Sequence, residues 1–311
     1  MTDNESQLKG NIFSIVRASL HDGGGVRTVI YFKGCPLRCE WCHNPESHSF
    51  ENDIQYYPLK CIKCGRCAAV CPGCHKINGG DMVFERAGCK KCGGCAGVCP
   101  NGALILCGKS YSRDEIIKIA LKDKIYYDKS NGGVTLSGGE FLAQTAFAAG
   151  LLKSFKKNDI NTAAETSLYA GWKCIEEVLN HTDTFIVDIK HMDSNAHRSR
   201  TGVENDLILN NVKKLSFLHK NIWIRIPMIR CFNDGDQNIT DTVEFLNNCG
   251  DGIKRIELLK YNNLMENKYH SLGKKPVGFV SETQDDGFIT DKNNLIKNHI
   301  KGNIEIINQY K

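Results

Sequence analysis

The stretch from Gly34 to Ser47 reads GCPLRCEWCHNPES and directly follows an apolar run with the composition of a β-strand. Its three cysteines, Cys35, Cys39 and Cys42, are separated by three and then two residues. This spacing lets three thiolates, which we call the triad, bind one metal cluster from a single loop. A four-iron cluster takes four thiolates, so one iron would stay open to bind another molecule. A structural zinc site with His43 as fourth ligand is the alternative.

Length and composition indicate an ordinary globular protein. The chain has 311 residues, 41% hydrophobic and 24% charged, which suits one large domain with an inserted module. No apolar run approaches the ~20 residues of a membrane span, and the start, MTDNESQLKGNIF, lacks signal-peptide features. The net charge of +5, from 40 basic and 35 acidic residues, is spread along the chain. We expect a cytoplasmic monomer that binds neither membranes nor nucleic acid.

The sixteen cysteines are not distributed as a disulfide framework would be. Most lie in the triad or in tight spacings between Cys61 and Cys107. In an intracellular chain such clusters indicate metal binding, here by iron and sulfide. Cys174, Cys231 and Cys249 stand alone, and we expect them to be packed core thiols.

The chain divides by composition. Residues 50–109 are rich in Cys, Gly, Lys and Pro and have few long apolar runs, so this segment needs metal clusters to fold. Outside it, β-rich runs alternate with helical ones, which predicts an α/β fold with a parallel sheet closing as a full or partial β/α barrel. Residues 1–49 and 110–311 would form the barrel and residues 50–109 the insert. The six predicted strands are VRTVIYFKG, GGVTLSGG, INTAAETS, TFIVDIK, NIWIRIPMI and IKRIELLKY.

Reactive side chains lie at the carboxyl ends of these predicted strands. In β/α barrels the carboxyl ends open on one face, where active sites form. We therefore expect these residues to converge. Besides the triad they are Ser137 to Glu140, Glu165, Thr166, Asp188, Lys190, Arg225, Tyr261 and Asn262.

Several motifs resemble those of one enzyme superfamily. The triad with Trp41, together with SGGE at Ser137 to Glu140, is similar to the radical S-adenosylmethionine superfamily. HDGGGVRT, GCPLRCEWCHNPES, GGVTLSGGE and DIKHMD resemble, more narrowly, the activating enzymes of glycyl radical enzymes. The resemblance extends along almost the whole chain and implies a partial (β/α)6 barrel.

The resemblance also implies a reaction. The open iron would bind the amino and carboxylate groups of S-adenosylmethionine, and the reduced cluster would cleave it to methionine and a 5'-deoxyadenosyl radical. The radical would abstract hydrogen from a glycine of a partner glycyl radical enzyme. Reduced ferredoxin or flavodoxin is the implied electron donor.

Roles for single residues follow from the resemblance. Gly138 and Gly139 would let the backbone approach the amino group of the cofactor, and Glu140 would add a countercharge. Taken alone, this GGE is more typical of a turn that opens a helix, and the triad upstream reverses that interpretation. The other implied cofactor-binding residues are Trp41 and His43 at the adenine, Asp188 and Lys190 at the ribose and carboxylate, and Glu165, Thr166, Arg225 and Asn262.

A monovalent cation is a further implied ligand. Glu165, Thr166 and Asp188 fall where some family members hold such an ion against the cofactor carboxylate. Solvated strand-end carboxylates are the alternative. The chain departs from the family pattern at Gly24, Phe141 and Lys260, and at Asn262, where histidine is common. Asparagine does not titrate near neutrality, so an acid-base role does not transfer to that position.

The insert contains two matching runs, CIKCGRCAAVCP and CKKCGGCAGVCP. Each is the CxxCxxCxxxCP pattern of two-cluster ferredoxins, in which the fourth cysteine of one run binds the other cluster. The alternative is a pair of zinc ribbons. We predict one 4Fe-4S cluster on Cys61, Cys64, Cys67 and Cys99, and another on Cys89, Cys92, Cys95 and Cys71, three with that of the triad. Cys74 and Cys107 would be free thiols, although Cys74 could replace Cys71.

Three functions are compatible with these motifs. The first is an activating enzyme of a glycyl radical enzyme. The second is a radical S-adenosylmethionine enzyme that modifies a peptide or small molecule, although such enzymes more often carry extra clusters in a C-terminal extension. The third is an electron-transfer subunit, which would need neither an open iron nor SGGE.

Overall fold

The computed structural model describes residues 8–275 and 282–308. Residues 1–7, which include part of the segment inspected for a signal peptide, lie outside the described residues. Within them, one large sheet contains nine strands. The strands are β1 (Lys9–Ser19), β2 (Arg27–Phe32), β7 (Lys109–Ser112), β8 (Gly133–Gly138), β9 (Asn161–Thr166), β10 (Thr184–Asp188), β11 (Ile222–Met228), β12 (Ile253–Lys260) and β13 (Glu305–Asn308).

The six predicted strands are β2 and β8 to β12, and they lie side by side in chain order. All their pairings are parallel. β13 adds a seventh parallel strand next to β12. β1 and β7 pair antiparallel at the other edge, beyond β2. These three strands carry no clear sequence signal, because β1 is half-exposed and β7 and β13 have four residues each, too few for a clear period.

Helices connect the parallel strands, as the alternating pattern predicts. Ser112 begins the first of them with a capping box, in which its hydroxyl accepts from Glu115 N–H and the Glu115 carboxylate accepts from Ser112 N–H. Leu151, Leu152 and Phe155 pack one apolar helix face into the main core. The helices are α3 (Arg113–Leu121), α4 (Lys124–Ser130), α5 (Thr145–Lys157), α6 (Trp172–Leu179), α7 (Ser194–Thr201), α8 (Asp206–Leu218), α9 (Asp236–Asn247), α10 (Glu266–Ser271) and α11 (Asp286–His299).

The cysteine-rich segment forms two small antiparallel sheets apart from the main one. β3 (Asp53–Tyr56) pairs with β6 (Leu104–Cys107), and β4 (His75–Asn78) pairs with β5 (Asp81–Phe84). Two short helices, α1 (Arg66–Val70) and α2 (Gly94–Gly97), lie within the two cysteine runs. A small core of its own contains Ile54, Met82 and Leu104 with Cys67 and Cys95. Cysteines thus stand where a larger domain would have aliphatic side chains.

The two cysteine runs share one backbone conformation. Lys63 and Gly65 in the first run have φ of 57° and 76°, and Lys91 and Gly93 in the second have 54° and 83°. Left-handed residues at matching positions show that the sequence repeat is also a structural repeat.

No helix in the described part of the chain has the length and apolar character needed to cross a membrane.

Candidate active site

A cavity of about 400 Å³ opens at the carboxyl ends of the parallel strands. It brings together all of the sequence-predicted catalytic and cofactor-binding residues except Glu140. They are Cys35, Cys39, Trp41, Cys42, His43, Gly138, Gly139, Glu165, Thr166, Asp188, Lys190, Arg225 and Asn262. The expected convergence of strand ends is therefore confirmed.

The triad loop is fixed to the protein on both sides. Gly34 N–H donates to Ser47 O over 2.8 Å, which closes the loop at its base. On the outer side Arg38 N–H donates to Thr201 O at the end of α7 over 2.7 Å. Arg200 in the same helix forms an ion pair with Glu40. The positions of the three cysteines are thus determined by residues far away in the sequence.

Gly138 and Gly139 attach the end of β8 to β2 and to the triad loop. Gly139 N–H donates to Phe32 O over 2.8 Å, and Glu140 N–H donates to Gly34 O over 2.9 Å. A Cβ on Gly138 would lie 2.4 Å from Phe32 N, and one on Gly139 would lie 2.2 Å from Gly34 O. Gly138 also has a φ of 111°, which glycine adopts without strain. Both glycines are required by this close backbone approach.

Glu140 lies behind the cavity wall and is 1% exposed. One carboxylate oxygen accepts from Thr166 Oγ1 over 2.8 Å and from Leu142 N–H. The other accepts from the backbone and the hydroxyl of Ser167, over 2.9 and 2.6 Å. The carboxylate therefore holds the loop after β9 in place, a positioning role that the sequence motif does not distinguish from cofactor contact.

Arg225 is the centre of a buried charge network on the cavity floor. Its guanidinium donates to Glu165 over 2.5 Å, to Glu257 over 2.7 Å and to the carbonyl oxygen of His21. Burial alone would lower the pKa of Arg225, but the carboxylates of Glu165 and Glu257 outweigh burial and raise it. Ser137 Oγ donates to the second oxygen of Glu165. Arg225 is thus a fixed positive charge that orients Glu165.

Asp188 and Lys190 form a second ion pair, with 2.6 Å between Lys190 Nζ and Asp188 Oδ2. Burial lowers the pKa of Lys190, but Asp188 and the nearby Cys39 thiol raise it more, so the ammonium stays charged. Asp188 and Glu165 are therefore each paired with a cation of the protein. Among the described residues, no three His, Cys, Asp or Glu side chains are placed to hold a single metal ion.

Burial is the largest influence on the pKa values of the triad thiols. It raises the pKa of Cys35 and Cys39, and it raises that of Cys42 to about 12. Metal binding needs thiolates, so ligation here would replace a proton with a cation. Leu37, Trp41 and Tyr269 pack around these thiols and keep water away.

Trp41 and His43, on either side of Cys42 in the sequence, contact different partners. Trp41 is buried against Phe232, with ring centroids 5.1 Å apart. His43 Nε2 lies 3.1 Å from the carbonyl oxygen of Asn262, and its ring contacts Tyr261 edge-on. Burial lowers the pKa of His43, so its ring is neutral at neutral pH. These aromatic groups line the end of the cavity next to Asn262.

Other cavity residues were not assigned from the sequence. His21 and Asp22 enter the cavity from the segment before β2, and Tyr31 and Ser167 from β2 and the loop after β9. The HDGGG motif was the one available signal for His21 and Asp22. Ser167 could not have been found, because its role depends on Glu140, which lies 27 positions away.

The cysteines of the insert form two groups that combine both runs. Cys61, Cys64, Cys67 and Cys99 line one small pocket together with Met82 and Leu104. In the second group, burial and then the nearby Cys71 and Cys89 thiols raise the pKa of Cys74 to about 11. Burial, followed by the charge of Cys89, raises the pKa of Cys95, and Cys71 adds a smaller effect. Each group thus takes a cysteine from the other run.

The remaining cysteines differ in their surroundings. Cys107 is 3% exposed and contacts the carbonyl oxygen of Glu46, away from both insert groups. Cys174 and Cys249 are half-buried. Cys231 is exposed, so its prediction as a core thiol is wrong. It follows β11 in a turn with φ of 59°, and an isolated cysteine carries no sequence signal of such a turn.

Comparison with known proteins assigns the family. A family model described as a 4Fe-4S single cluster domain matches residues 21–208. The (2S)-3-sulfopropanediol dehydratase activating enzyme of Klebsiella oxytoca is 45% identical, over 85% of this chain and 86% of that protein. The chain belongs to the activating enzymes of glycyl radical enzymes. The trans-4-hydroxy-L-proline dehydratase activating enzyme of Clostridioides difficile is 43% identical, over 86% of this chain and 89% of that protein.

A solved structure supports the fold of this activating enzyme. Streptococcus suis SuiB bound to precursor peptide SuiA superimposes with a TM-score of 0.52 at 15% identity. The match covers 90% of this chain and 48% of that one, so the activating enzyme spans about half the length of SuiB. At this identity the similarity concerns the fold alone.

Proposed function

We propose that the protein activates a partner glycyl radical enzyme by reductive cleavage of S-adenosylmethionine in the cavity of the triad. One electron breaks the bond between sulfur and the 5' carbon, giving methionine and a 5'-deoxyadenosyl radical. This radical takes a hydrogen atom from a glycine of the partner, which leaves 5'-deoxyadenosine and a stored glycyl radical. The observation that carries the proposal is that one cavity combines the triad with all but one of the family's cofactor-binding positions.

The residues around the triad fit an iron–sulfur cluster. Three thiols line one cavity within an apolar shell. The Tyr269 side chain is 3% exposed, and its hydroxyl has no hydrogen-bond partner among the described residues. A sulfur-containing group beside the triad would supply the missing acceptor. Bound to Cys35, Cys39 and Cys42, a 4Fe-4S cluster supplies one electron and an open iron for the cofactor's amino and carboxylate groups.

The other cavity residues bind and orient the cofactor in this proposal. Lys190, held by Asp188, offers a fixed positive charge to the carboxylate. Trp41 and His43 present ring faces and edges to the adenine. Gly138 and Gly139 keep the cavity wall free of side chains, and Glu140 holds that wall through Thr166 and Ser167.

The monovalent cation remains a prediction for Glu165, Thr166 and Asp188. In the described structure Glu165 is engaged by Arg225 and Ser137, and Asp188 by Lys190. An ion would have to replace these partners. We therefore assign the positive charge at this position to Arg225 and Lys190.

We further propose that residues 50–109 form a ferredoxin-like insert with two more 4Fe-4S clusters. The pocket lined by Cys61, Cys64, Cys67 and Cys99 supports the first ligand set. The effect of Cys71 on the pKa of Cys95 supports the other, of Cys89, Cys92, Cys95 and Cys71. The Cys74 thiol, which interacts with those of Cys71 and Cys89, is the alternative to Cys71. Iron and sulfide should then approach about twelve of each per chain after anaerobic reconstitution, four for each cluster. About four of each would remove the insert clusters.

The six parallel strands in chain order, open at both edges of the sheet, support a partial (β/α)6 barrel formed by residues 1–49 and 110–311. The insert enters between the triad loop and β7. It would relay electrons from reduced ferredoxin or flavodoxin to the triad of a monomeric enzyme. The named relatives are activating enzymes of different dehydratases. We therefore propose a glycyl radical enzyme as the partner and assign it no particular substrate.

The decisive experiment measures two products. The reconstituted protein, reduced anaerobically and given S-adenosylmethionine, should form 5'-deoxyadenosine. With a panel of glycyl radical enzymes, including a (2S)-3-sulfopropanediol dehydratase, one member should acquire a glycyl radical signal in electron paramagnetic resonance (EPR). Formation of 5'-deoxyadenosine only with a peptide or small molecule, and no glycyl radical on any member, would favour the modifying-enzyme alternative.

A further inference from the structure

Helix α10 lies between the triad and the insert. On one side Tyr269 packs in the same apolar cluster as Cys39 and Cys42. Lys268 on this helix donates to the carbonyl oxygen of His43, over 2.9 Å. The helix thus contacts the triad loop directly.

On its other side α10 binds the insert through Ser271. Gln55 in β3 donates from Nε2 to Ser271 Oγ over 3.2 Å, and both residues are buried. Arg86 donates from Nη2 to the carbonyl oxygen of Ser271. One helix therefore contacts both the triad and the insert.

Arg86 fixes the orientation of the insert at this contact. Its other terminal nitrogen donates to Ile54 O over 2.6 Å, and its guanidinium lies 4.5 Å from the Phe84 ring centroid. A Cβ on Gly273 would lie 2.4 Å from Arg86 Nε, so this glycine leaves room for the guanidinium. Because Arg86 is bound from both sides, the segment that it begins has a defined position.

That segment leads directly to Cys89. Residues Arg86–Gly88 form a 3-10 helix, and Cys89 N–H donates to Arg86 O over 3.0 Å. Two residues further on, Lys91 forms an ion pair with Glu51, over 3.3 Å. The second cysteine run is thus linked to α10 through Arg86 and to the beginning of the insert through Lys91.

The first cysteine run makes its contacts inside the insert instead. Lys63 pairs with Asp81, and the Lys60 carbonyl accepts from Asn101. Cys64 is exposed, as is Cys92 in the second run, and Ile62 beside Cys64 is 60% exposed. These contacts of the first run, unlike that of Arg86, do not involve α10.

We infer that the second cysteine group, on the side of Cys89 and Cys95, delivers the electron to the triad, and that Arg86 and Ser271 hold it in that position. The inference rests on the proposed function. In the transfer, one electron leaves the cluster of the second group, which is oxidised, and enters the triad cluster, which is reduced; no bond or proton moves. A one-electron protein donor in solution, or dithionite, supplies it. The first group, with exposed Cys64, receives the electron from outside.

The test is the magnetic interaction between clusters in the full, reconstituted chain. With all clusters reduced by dithionite and no S-adenosylmethionine, a neighbouring cluster should speed the spin relaxation of the triad signal in EPR. We expect this effect to persist in Cys64→Ser, which removes a ligand of the first group, and to be lost in Cys92→Ser. The reverse pattern would overturn the inference.

A second pair of variants covers the case in which either cysteine change prevents folding of the insert. Arg86→Met should keep the iron content of the wild type and weaken the relaxation effect, because the insert loses the hydrogen bond from Arg86 to Ser271 O and keeps that from Gln55. Arg198→Met removes an exposed guanidinium on α7, outside the insert, and should change neither. Equal spin relaxation in both variants would contradict the inference. An iron content of about four per chain in the wild type would instead contradict the two clusters proposed for the insert.

Discussion

At the residue scale, Gly139 shows how little space separates the triad loop from β8. Its Cα faces the carbonyl oxygen of Gly34, one residue before Cys35. The sequence analysis explained this glycine by approach of the cofactor. The contact in the structure is instead backbone against backbone, which the motif alone could not reveal because Gly34 and Gly139 are distant in sequence.

Substitution Gly139→Ala should therefore remove the triad cluster. Its methyl carbon would lie 2.2 Å from Gly34 O, which has to move with the loop. We expect the iron content to fall by about four per chain while the insert clusters remain. Iron analysis and EPR measure both. The matched control is Gly171→Ala, where an added Cβ meets no described atom within 4 Å; equal loss of iron in the two variants would contradict the role of Gly139.

His48, just after the triad loop, predicts a dependence of stability on pH. Burial and the nearby cations Lys274, Arg38 and Lys33 lower its pKa to about 4. The unfolded chain, with a pKa near 6.5, therefore binds the proton first as the pH falls. The contribution of His48 to the free energy of unfolding is therefore complete above about pH 6.5. It is lost as the pH falls toward about 4, and the loss is at most about 3 kcal/mol.

This dependence is measured by anaerobic denaturant unfolding. Between about pH 7.5 and about pH 5.5 the free energy of unfolding should fall about 1 kcal/mol more in the wild type than in His48→Gln. The comparison removes any effect of acid that both proteins share. Parallel pH profiles would show that His48 is not responsible.

At the scale of elements, the active site depends on the ends of neighbouring parallel strands. Strand β8 ends at Gly138, directly before Gly139, β9 ends in Glu165 and Thr166, and β10 in Asp188. Alternation of apolar strands and helices predicted this arrangement, because parallel strands place their carboxyl ends at one edge. The antiparallel strands β1 and β7 were missed because β1 is half-exposed and β7 has only four residues, too few for a clear period.

Glu140 connects two of these elements, since its carboxylate holds the loop after β9 from the end of β8. In Glu140→Gln an amide NH₂ replaces one acceptor oxygen and faces N–H and O–H donors. Hydrogen bonds to a charged group contribute about 1.5–3 kcal/mol each, so the variant should unfold at lower denaturant concentration. It should also bind S-adenosylmethionine more weakly, as measured by calorimetry. The matched control is Glu176→Gln, on the outer surface of α6, which should bind S-adenosylmethionine as the wild type does. An effect of equal size in this control would contradict the positioning role of Glu140.

At the scale of the whole molecule, the cysteine-rich segment of residues 50–109 contacts the rest of the protein through α10. The paired cysteine runs predicted the insert, and the matching φ angles of Lys63 and Lys91 agree with the repeat. Its orientation depends on the contacts of Arg86 with Ser271, 185 positions apart, which leave no pattern in the sequence.

If the triad and the insert have separate roles, two cysteine variants should lose different activities. Cys39→Ala should abolish cleavage of S-adenosylmethionine with any reductant, because it removes a ligand of the triad. Cys92→Ala should keep some cleavage with an artificial reductant and lose most activation by the protein donor. Product formation with each reductant separates the two. Complete loss with both reductants in a folded Cys92→Ala protein would count against an electron relay.

The sequence by itself determined the α/β class, the six parallel strands, the triad and the pairing of cysteine runs. Each of these depends on the spacing or periodicity of residues that are close together in the sequence. Only the tertiary structure decided that Glu140 acts behind the cavity wall, that Arg225 joins Glu165 to Glu257, and that the Cys89 side of the insert contacts α10. These depend on buried hydrogen bonds and ion pairs between distant residues, whose geometry exists only once the strands and the insert have packed together.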